Sequence, residues 1–191
     1  MAATNLRFCP WIGANYWRGG ISGQRLALVG VSHYRGDRWQ RADRTITKRV
    51  VLSYTMKAWN HRYFTITTRL LGGNPSLPEG RQDTWSRVSF FNVIQHMFQN
   101  AQGQPTPEQW AVGRLAFYEA IDQVQPTRIL ILGSHLWTQL QDDNDVGPAD
   151  EHMRTYGFSG GDAVATFVSH PSWPRFNLQD ARERLCHLLK R

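Results

Sequence analysis

Four times along the chain a short apolar run stops abruptly in polar residues. Leu26-Ala27-Leu28-Val29 runs into Gly30-Val31-Ser32-His33-Tyr34-Arg35-Gly36, and Val88-Ser89-Phe90-Phe91 runs into Asn92. Ile129-Leu130-Ile131-Leu132 runs into Gly133-Ser134-His135, and Ala165-Thr166-Phe167-Val168 into Ser169-His170-Pro171-Ser172. Apolar runs without alternation suit strands buried on both faces of a parallel sheet. In an open α/β sheet, ligands bind just beyond the carboxyl ends of the strands, so the four polar tips are where function is expected.

The intervening segments carry helical spacing. From Asp43 to Leu71, Val50, Val51, Tyr54 and Trp59 recur near the helical period, followed by Phe64, Ile66, Leu70 and Leu71. A break near Asn60 divides two helices, Gly72-Gly73-Asn74-Pro75 stops the second, and residues 74–84 read as loop. A short helical stretch is expected after the second strand, through Phe98. Thr106-Pro107-Glu108-Gln109 opens a helix with a cap and an early proline, running to about Val124 before Gln125-Pro126 ends it. Ser134 is expected to cap a short helix through Leu140, whereas residues 141–162 follow no clear pattern. Asn177 caps a last helix with Leu178, Ala181, Leu185, Leu188 and Leu189 on one face.

Strands alternating with helices predict an α/β fold, a three-layer α/β/α sandwich around a central four-stranded parallel sheet. The 191 residues suit one domain, with residues 1–24 as an irregular arm packed on it. No apolar run approaches the roughly 20 residues that span a bilayer, and Met1 to Arg7 lacks the apolar core of a signal peptide. A cytoplasmic monomer without membrane contact is the expectation. Cys9 and Cys186, the only cysteines, are too few for a cysteine-based zinc site or an iron–sulfur cluster and read as reduced thiols.

Charge narrows the partner. The net charge is +7, and Arg35, Arg38, Arg41, Arg44, Lys48 and Arg49 crowd the segment after the first strand against only Asp37 and Asp43. Such a cluster is either a solvated helix face or the electrostatic footprint of a nucleic-acid binder.

Taken in order, the four tips resemble those of the uracil-DNA glycosylase superfamily, over Leu26 to about Phe176. In that family the first loop has the pattern Gly-Gln-Asp-Pro-Tyr-His-Gly. Gly30, Tyr34 and Gly36 match it, while Ser32 stands at the Asp position and Arg35 at the His position. Phe90-Phe91-Asn92 is similar to the Leu-Leu-Asn element, Gly133-Ser134 to the phosphate-gripping Gly-Ser loop, and His170-Pro171-Ser172 to the start of the His-Pro-Ser loop.

The resemblance implies an enzyme that flips a nucleotide out of DNA and hydrolyses its N-glycosidic bond. His170, Asn92, Ser32 and Asp37 are the implied catalytic candidates. Tyr34, His33, Phe91 and Asn92 would line the base pocket. Arg35, Arg38, Ser134, His135, Ser172, Trp173 and Arg175 would contact DNA, with Trp173, Pro174, Arg175 or Phe176 where the family has a duplex-wedging Leu. No metal or organic cofactor is implied, and no Lys in the tips suggests lyase chemistry. The missing Asp leans toward a modified cytosine over plain uracil, in phage defence or in base-excision repair. The alternatives are a catalytically weak or inactive DNA-binding relative, and an unrelated α/β hydrolase or nucleotide enzyme. The latter lacks a Walker loop or a Gly-x-Ser-x-Gly elbow.

Overall fold

A computed structural model describes residues 4–35, 42–56, 60–100, 102–141 and 152–191. In chain order the strands are β1 (Trp11–Ile12), β2 (Leu26–Gly30), β3 (His33–Tyr34), β4 (Val88–Asn92), β5 (Met97–Phe98), β6 (Arg128–Leu132), β7 (Met153–Phe158) and β8 (Gly161–Val168). The helices are α1 (Ile46–Thr55), α2 (Arg62–Leu70), α3 (Pro78–Ser86), α4 (Pro107–Val124), α5 (Ser134–Gln139) and α6 (Leu178–Lys190).

The sheet has six strands, in the order β1-β4-β2-β6-β8-β7, not the four expected. β4, β2, β6 and β8 pair in parallel, and β1 and β7 are antiparallel additions at the two edges. β7 arises from the stretch that carried no clear pattern. It forms a hairpin with β8 through Phe158 and Gly161, and alternation of half-buried and exposed positions is too weak there to announce a strand. A separate two-stranded pair, β3 with β5, takes the place of the helix expected before Phe98. The main sheet continues briefly past its strand ends, since the Val93 amide donates to Gly30 O (3.0 Å) and the Ile94 amide to Val31 O (2.8 Å).

Period-two alternation along the central strands divides the core. Ala27, Val29, Phe91, Ile129, Ile131 and Ala165 join one cluster with Phe117, Ile121 and Val124 of α4 and Leu136 and Trp137 of α5. Leu26, Leu28, Val88, Phe90, Leu130 and Leu132 join the other with residues of α1, α2, α3 and α6. Each fully buried Leu, Ile or Phe side chain contributes roughly 1.5–3 kcal/mol of transfer free energy.

Residues 74–84, expected as loop, hold most of α3. Its composition is polar because its inward contacts are made by Arg81, Thr84 and a single large apolar residue, Trp85, and not by an apolar stripe. The Arg81 guanidinium donates to Pro75 O (2.6 Å), Tyr54 O (3.0 Å) and Asn60 Oδ1 (2.7 Å), and lies 4.5 Å from the Tyr54 ring centroid. One side chain thereby ties the end of α1 to Asn60, which precedes the N-cap His61 of α2. The starts of α4 and α6 follow the expected chemistry. Thr106 and Gln109 form a reciprocal capping box on α4, and Asn177 Oδ1 accepts from Gln179 N (3.0 Å) and Asp180 N (3.4 Å) on α6. On α5 the cap is Gly133 with φ +148°, and Ser134 is the first helical residue. That backbone conformation favours glycine whatever the space around it.

The arm packs on the domain. Phe8 and Tyr16 are buried, and β1 covers the outer edge of β4. Its start is clamped by Glu119 of α4, whose carboxylate accepts from Thr4 Oγ1 (2.6 Å), Asn5 N (3.0 Å), Asn5 Nδ2 (2.7 Å) and Leu6 N (3.0 Å). The Thr4 hydroxyl and the other donors pull the Glu119 pKa down to about 2. A carboxylate with a depressed folded-state pKa stabilises the fold above its unfolded value, and loses that contribution as pH falls toward the folded one. The arm is therefore expected to loosen between about pH 4.5 and pH 2, seen as loss of hydrogen-exchange protection at the Leu6 amide. In Glu119→Gln that protection is expected to be weak already at pH 7 and insensitive to acid across this window.

Candidate functional site

The register of the sheet brings the tips together. Gly30 pairs with Asn92 across β2 and β4, and Leu132 pairs with Val168 across β6 and β8. All four parallel strands therefore end at one edge. Along β4, Val88, Phe90 and Asn92 share a face, the one covered by α2. Asn92 is only 5% exposed, and its side chain lies across Gly30. A Cβ at Gly30 would collide with Asn92 Oδ1 and lie 2.8 Å from the Tyr63 hydroxyl and 3.3 Å from Phe90 Cε2. The glycine is needed for space, not for its backbone angles.

Tyr63, from the first turn of α2, is the residue that sequence reasoning missed. Its ring centroid is 5.2 Å from that of His170 and 6.2 Å from that of Phe90, and its hydroxyl reaches Gly30. It thus connects the fourth tip with the first and second. A tyrosine in an amphipathic helix reads as core, and only the burial of its hydroxyl without a hydrogen-bond partner among the described residues marks it out. Burial, followed by the nearby Tyr34, raises its pKa, so the phenol is neutral. His61 and Arg62 also join the site from the start of α2. The Arg62 guanidinium donates to Trp173 O (3.3 Å), tying α2 to the fourth tip.

His170 is half-buried and held in one tautomer. The Ser172 amide donates to its Nδ1 (3.2 Å), so in the neutral ring the proton sits on Nε2. Burial lowers the His170 pKa, and the neighbouring His61 lowers it further because two imidazolium charges repel. The loop beyond is a run of turns, with Trp173 N donating to His170 O (2.8 Å) and Phe176 N to Trp173 O (3.1 Å). Trp173 projects from it with 52% of its surface exposed.

At the first tip, Ser32 is half-buried and its hydroxyl has no partner among the described residues. Tyr34 is half-buried, 6.5 Å from Phe98 between centroids, and Arg35 is exposed. At the third tip Ser134 and His135 are exposed, His135 lying edge-on to Trp110 at 5.7 Å. Arg175, Arg44 and Lys48 are exposed, whereas Arg49 is bridged to Asp43 at 3.0 Å. Asp37, Arg38 and Arg41 lie outside the described residues.

Two expected base contacts are corrected. Phe91 follows Phe90 on a strand and so points to the opposite face, where it is buried 6.1 Å from Phe117. His33 is turned inward: its Nε2 is 3.0 Å from Thr47 Oγ1, Phe8 packs on its edge at 5.6 Å, and burial lowers its pKa to about 4. Gln95 is a strut, with Nε2 donating to Asn92 O (2.7 Å) and Oε1 accepting from Phe8 N (2.7 Å).

A cavity of about 240 Å³ opens beside the fourth tip, lined by Phe167, Ser169, Trp173, Arg175, Asp180 and Arg184 among others. Gly30, Asn92 and His170 do not line it, so it is separate from the convergence of the tips. Among the described residues no three His, Cys, Asp or Glu side chains gather as a metal site requires, and no helix is long and apolar enough to cross a membrane.

Because a methyl at position 30 meets Asn92 and Tyr63, Gly30→Ala is expected to cost about 1–3 kcal/mol, as overpacking does. Urea unfolding measures it, and an unchanged midpoint would contradict the packing described.

Comparison with protein-family models and with curated proteins finds no match to this chain.

Proposed function

We propose that the chain is a monofunctional DNA glycosylase that excises uracil or a modified cytosine and leaves an abasic site. The observation that carries this reading is His170, held neutral with its proton on Nε2, at the sheet edge where Asn92, Gly30 and Ser32 also end. Breaking a pyrimidine glycosidic bond pushes negative charge into the ring, toward O2. A neutral imidazole N–H facing that oxygen stabilises the transition state more than the ground state, and only such differential binding accelerates the step. Asn92, with both an amide donor and an acceptor, reads the edge of the base. Ser32 holds water in place of the family's carboxylate; a departing base stabilised as an anion needs little help from a strong general base.

DNA is the proposed partner. Arg35, Arg44, Lys48 and Arg175 are exposed cations on or near the tips, and Trp173 is the aromatic group available to fill the gap left by a flipped nucleotide. The serine in place of Asp favours one second reading, a DNA-binding relative with little or no catalysis.

Single-turnover assays on DNA bearing uracil, hydroxymethylcytosine or glucosylated cytosine, followed by alkaline cleavage of abasic sites, separate the two. Excision of at least one base is expected, and His170→Ala is expected to lower the rate roughly 10²–10³-fold with little change in DNA affinity. Full activity in His170→Ala would remove the centre of the proposal.

Because the folded-state pKa of His170 is lowered, the neutral form persists below the usual pH 6.5. The rate is expected to stay level from pH 8 through 6.5 and to fall only in more acid solution. Replacing both Arg35 and Arg175 by Ala is expected to weaken binding across sequences and flatten the salt dependence by about 2 units of slope.

A further inference from the structure

We propose that the Tyr63 hydroxyl reads the polar edge of the bound pyrimidine beside Asn92 and so sets which base the site accepts. The proposal rests on the pyrimidine site described above. Its observations are separate from the tips: Tyr63 lies on α2, is 8% exposed, and buries a hydroxyl that no described residue satisfies. A buried hydroxyl without a partner is costly, and a bound group able to hydrogen-bond it relieves that cost.

The surroundings say what that use is. The hydroxyl is beside the bare Cα of Gly30, where Asn92 Oδ1 also lies, and the Tyr63 ring is 5.2 Å from His170. The group therefore sits between the residue proposed to fix the base and the residue proposed to stabilise its anion. No ionised group is involved, because burial keeps the phenol protonated. A neutral phenol is both donor and acceptor. Next to an amide it presents the mixed pattern that the ring-nitrogen and 4-position edge of a pyrimidine requires: uracil offers N–H with a carbonyl, cytosine an acceptor nitrogen with an amino group. An aliphatic or anionic ligand would leave that pattern unused. Phe90 and Phe64, packed 6.2 Å and 5.3 Å from the Tyr63 ring, hold it in place, so the hydroxyl cannot swing out to solvent.

Tyr63→Phe removes the hydroxyl and keeps the ring. A lost hydrogen bond from a buried group corresponds to roughly 5- to 100-fold in rate or affinity. The test has two arms on the full chain: single-turnover excision from uracil-DNA and hydroxymethylcytosine-DNA, and calorimetric binding of free uracil and free cytosine. Thermal unfolding is recorded alongside. Tyr63→Phe is expected to fall about 10-fold or more on the preferred base, to change the ratio between the two bases, and to unfold at the same temperature or higher, since an unsatisfied hydroxyl has been removed. A tyrosine with a merely structural role would lower the unfolding temperature on substitution and leave that ratio alone.

If the unaltered chain excises a base and Tyr63→Phe matches it in rate and preference, the Tyr63 proposal is overturned and the glycosylase reading stands. If the unaltered chain excises nothing but binds a free pyrimidine more tightly than Tyr63→Phe does, Tyr63 is upheld and the glycosylase reading falls. If there is neither excision nor a difference in pyrimidine binding, both fall.

Discussion

Everything at the candidate site depends on the absence of a side chain at Gly30. β2 is paired on both sides in parallel register and buried along its length, so its position is fixed by neighbours that cannot yield. Where it ends, Asn92 from β4 and Tyr63 from α2 occupy the volume that any other residue at position 30 would fill. Close packing turns this into a geometric rule: interiors lack the spare volume to accommodate even a methyl without displacing something. The polar convergence is thus a product of the same packing that holds the sheet, and needs no flexible loop to assemble it.

The position of α2 is the second requirement, and it is set from outside the site. Arg81 binds the carbonyls of Tyr54 and Pro75 and the side chain of Asn60, and so fixes the chain just before His61, Arg62 and Tyr63. Phe64 of α2 packs against Trp85 and Phe90, at 5.1 Å and 5.8 Å between centroids, and fixes the helix from below. Arg62 then reaches Trp173 O, which makes α2 a brace between the buried core and the His170 loop. A buried guanidinium is costly to desolvate unless fully bonded, and its donors here go to main-chain and amide oxygens at places where the chain reverses.

The central strands were legible because uninterrupted burial on both faces forces apolar runs, and their ends were legible because polarity begins abruptly there. α4 and α6 were legible through their caps, Thr106 and Asn177. α3 was not, since a helix whose inward face is an arginine, a threonine and one tryptophan carries no apolar period. β1, β5 and β7 are short or half-exposed strands whose existence follows from a neighbour's free edge rather than from their own sequence. At the site, Asn92 and His170 could be picked out from strand ends alone. Phe91 and His33 could not be assigned a direction that way: one residue's step along β4 turns Phe91 to the far core, and the arm residue Phe8, distant in sequence, covers His33. Tyr63 was invisible for the converse reason, as its ring is core and only its hydroxyl belongs to the site.

The electrostatics at the edge favour neutral chemistry. His33 and His170 both have pKa values lowered by burial, Tyr63 has one raised by it, and Ser32 contributes an uncharged hydroxyl. Burial disfavours charge on acids and bases alike, so these described groups act through hydrogen bonds instead of permanent charges. The cations lie outside, at Arg35, Arg44, Lys48 and Arg175. This separation would suit the proposed substrate, a polyanion held by exposed cations while a neutral ring meets the buried groups. On the proposed reading, charge would accumulate only as the glycosidic bond breaks, and neutral dipoles at the edge would then stabilise the transition state more than the bound substrate. A buried cation at the same place would bind the resting phosphate as readily as the departing base. On that reading the neutral Nε2–H of His170, fixed by the Ser172 amide, would make that distinction.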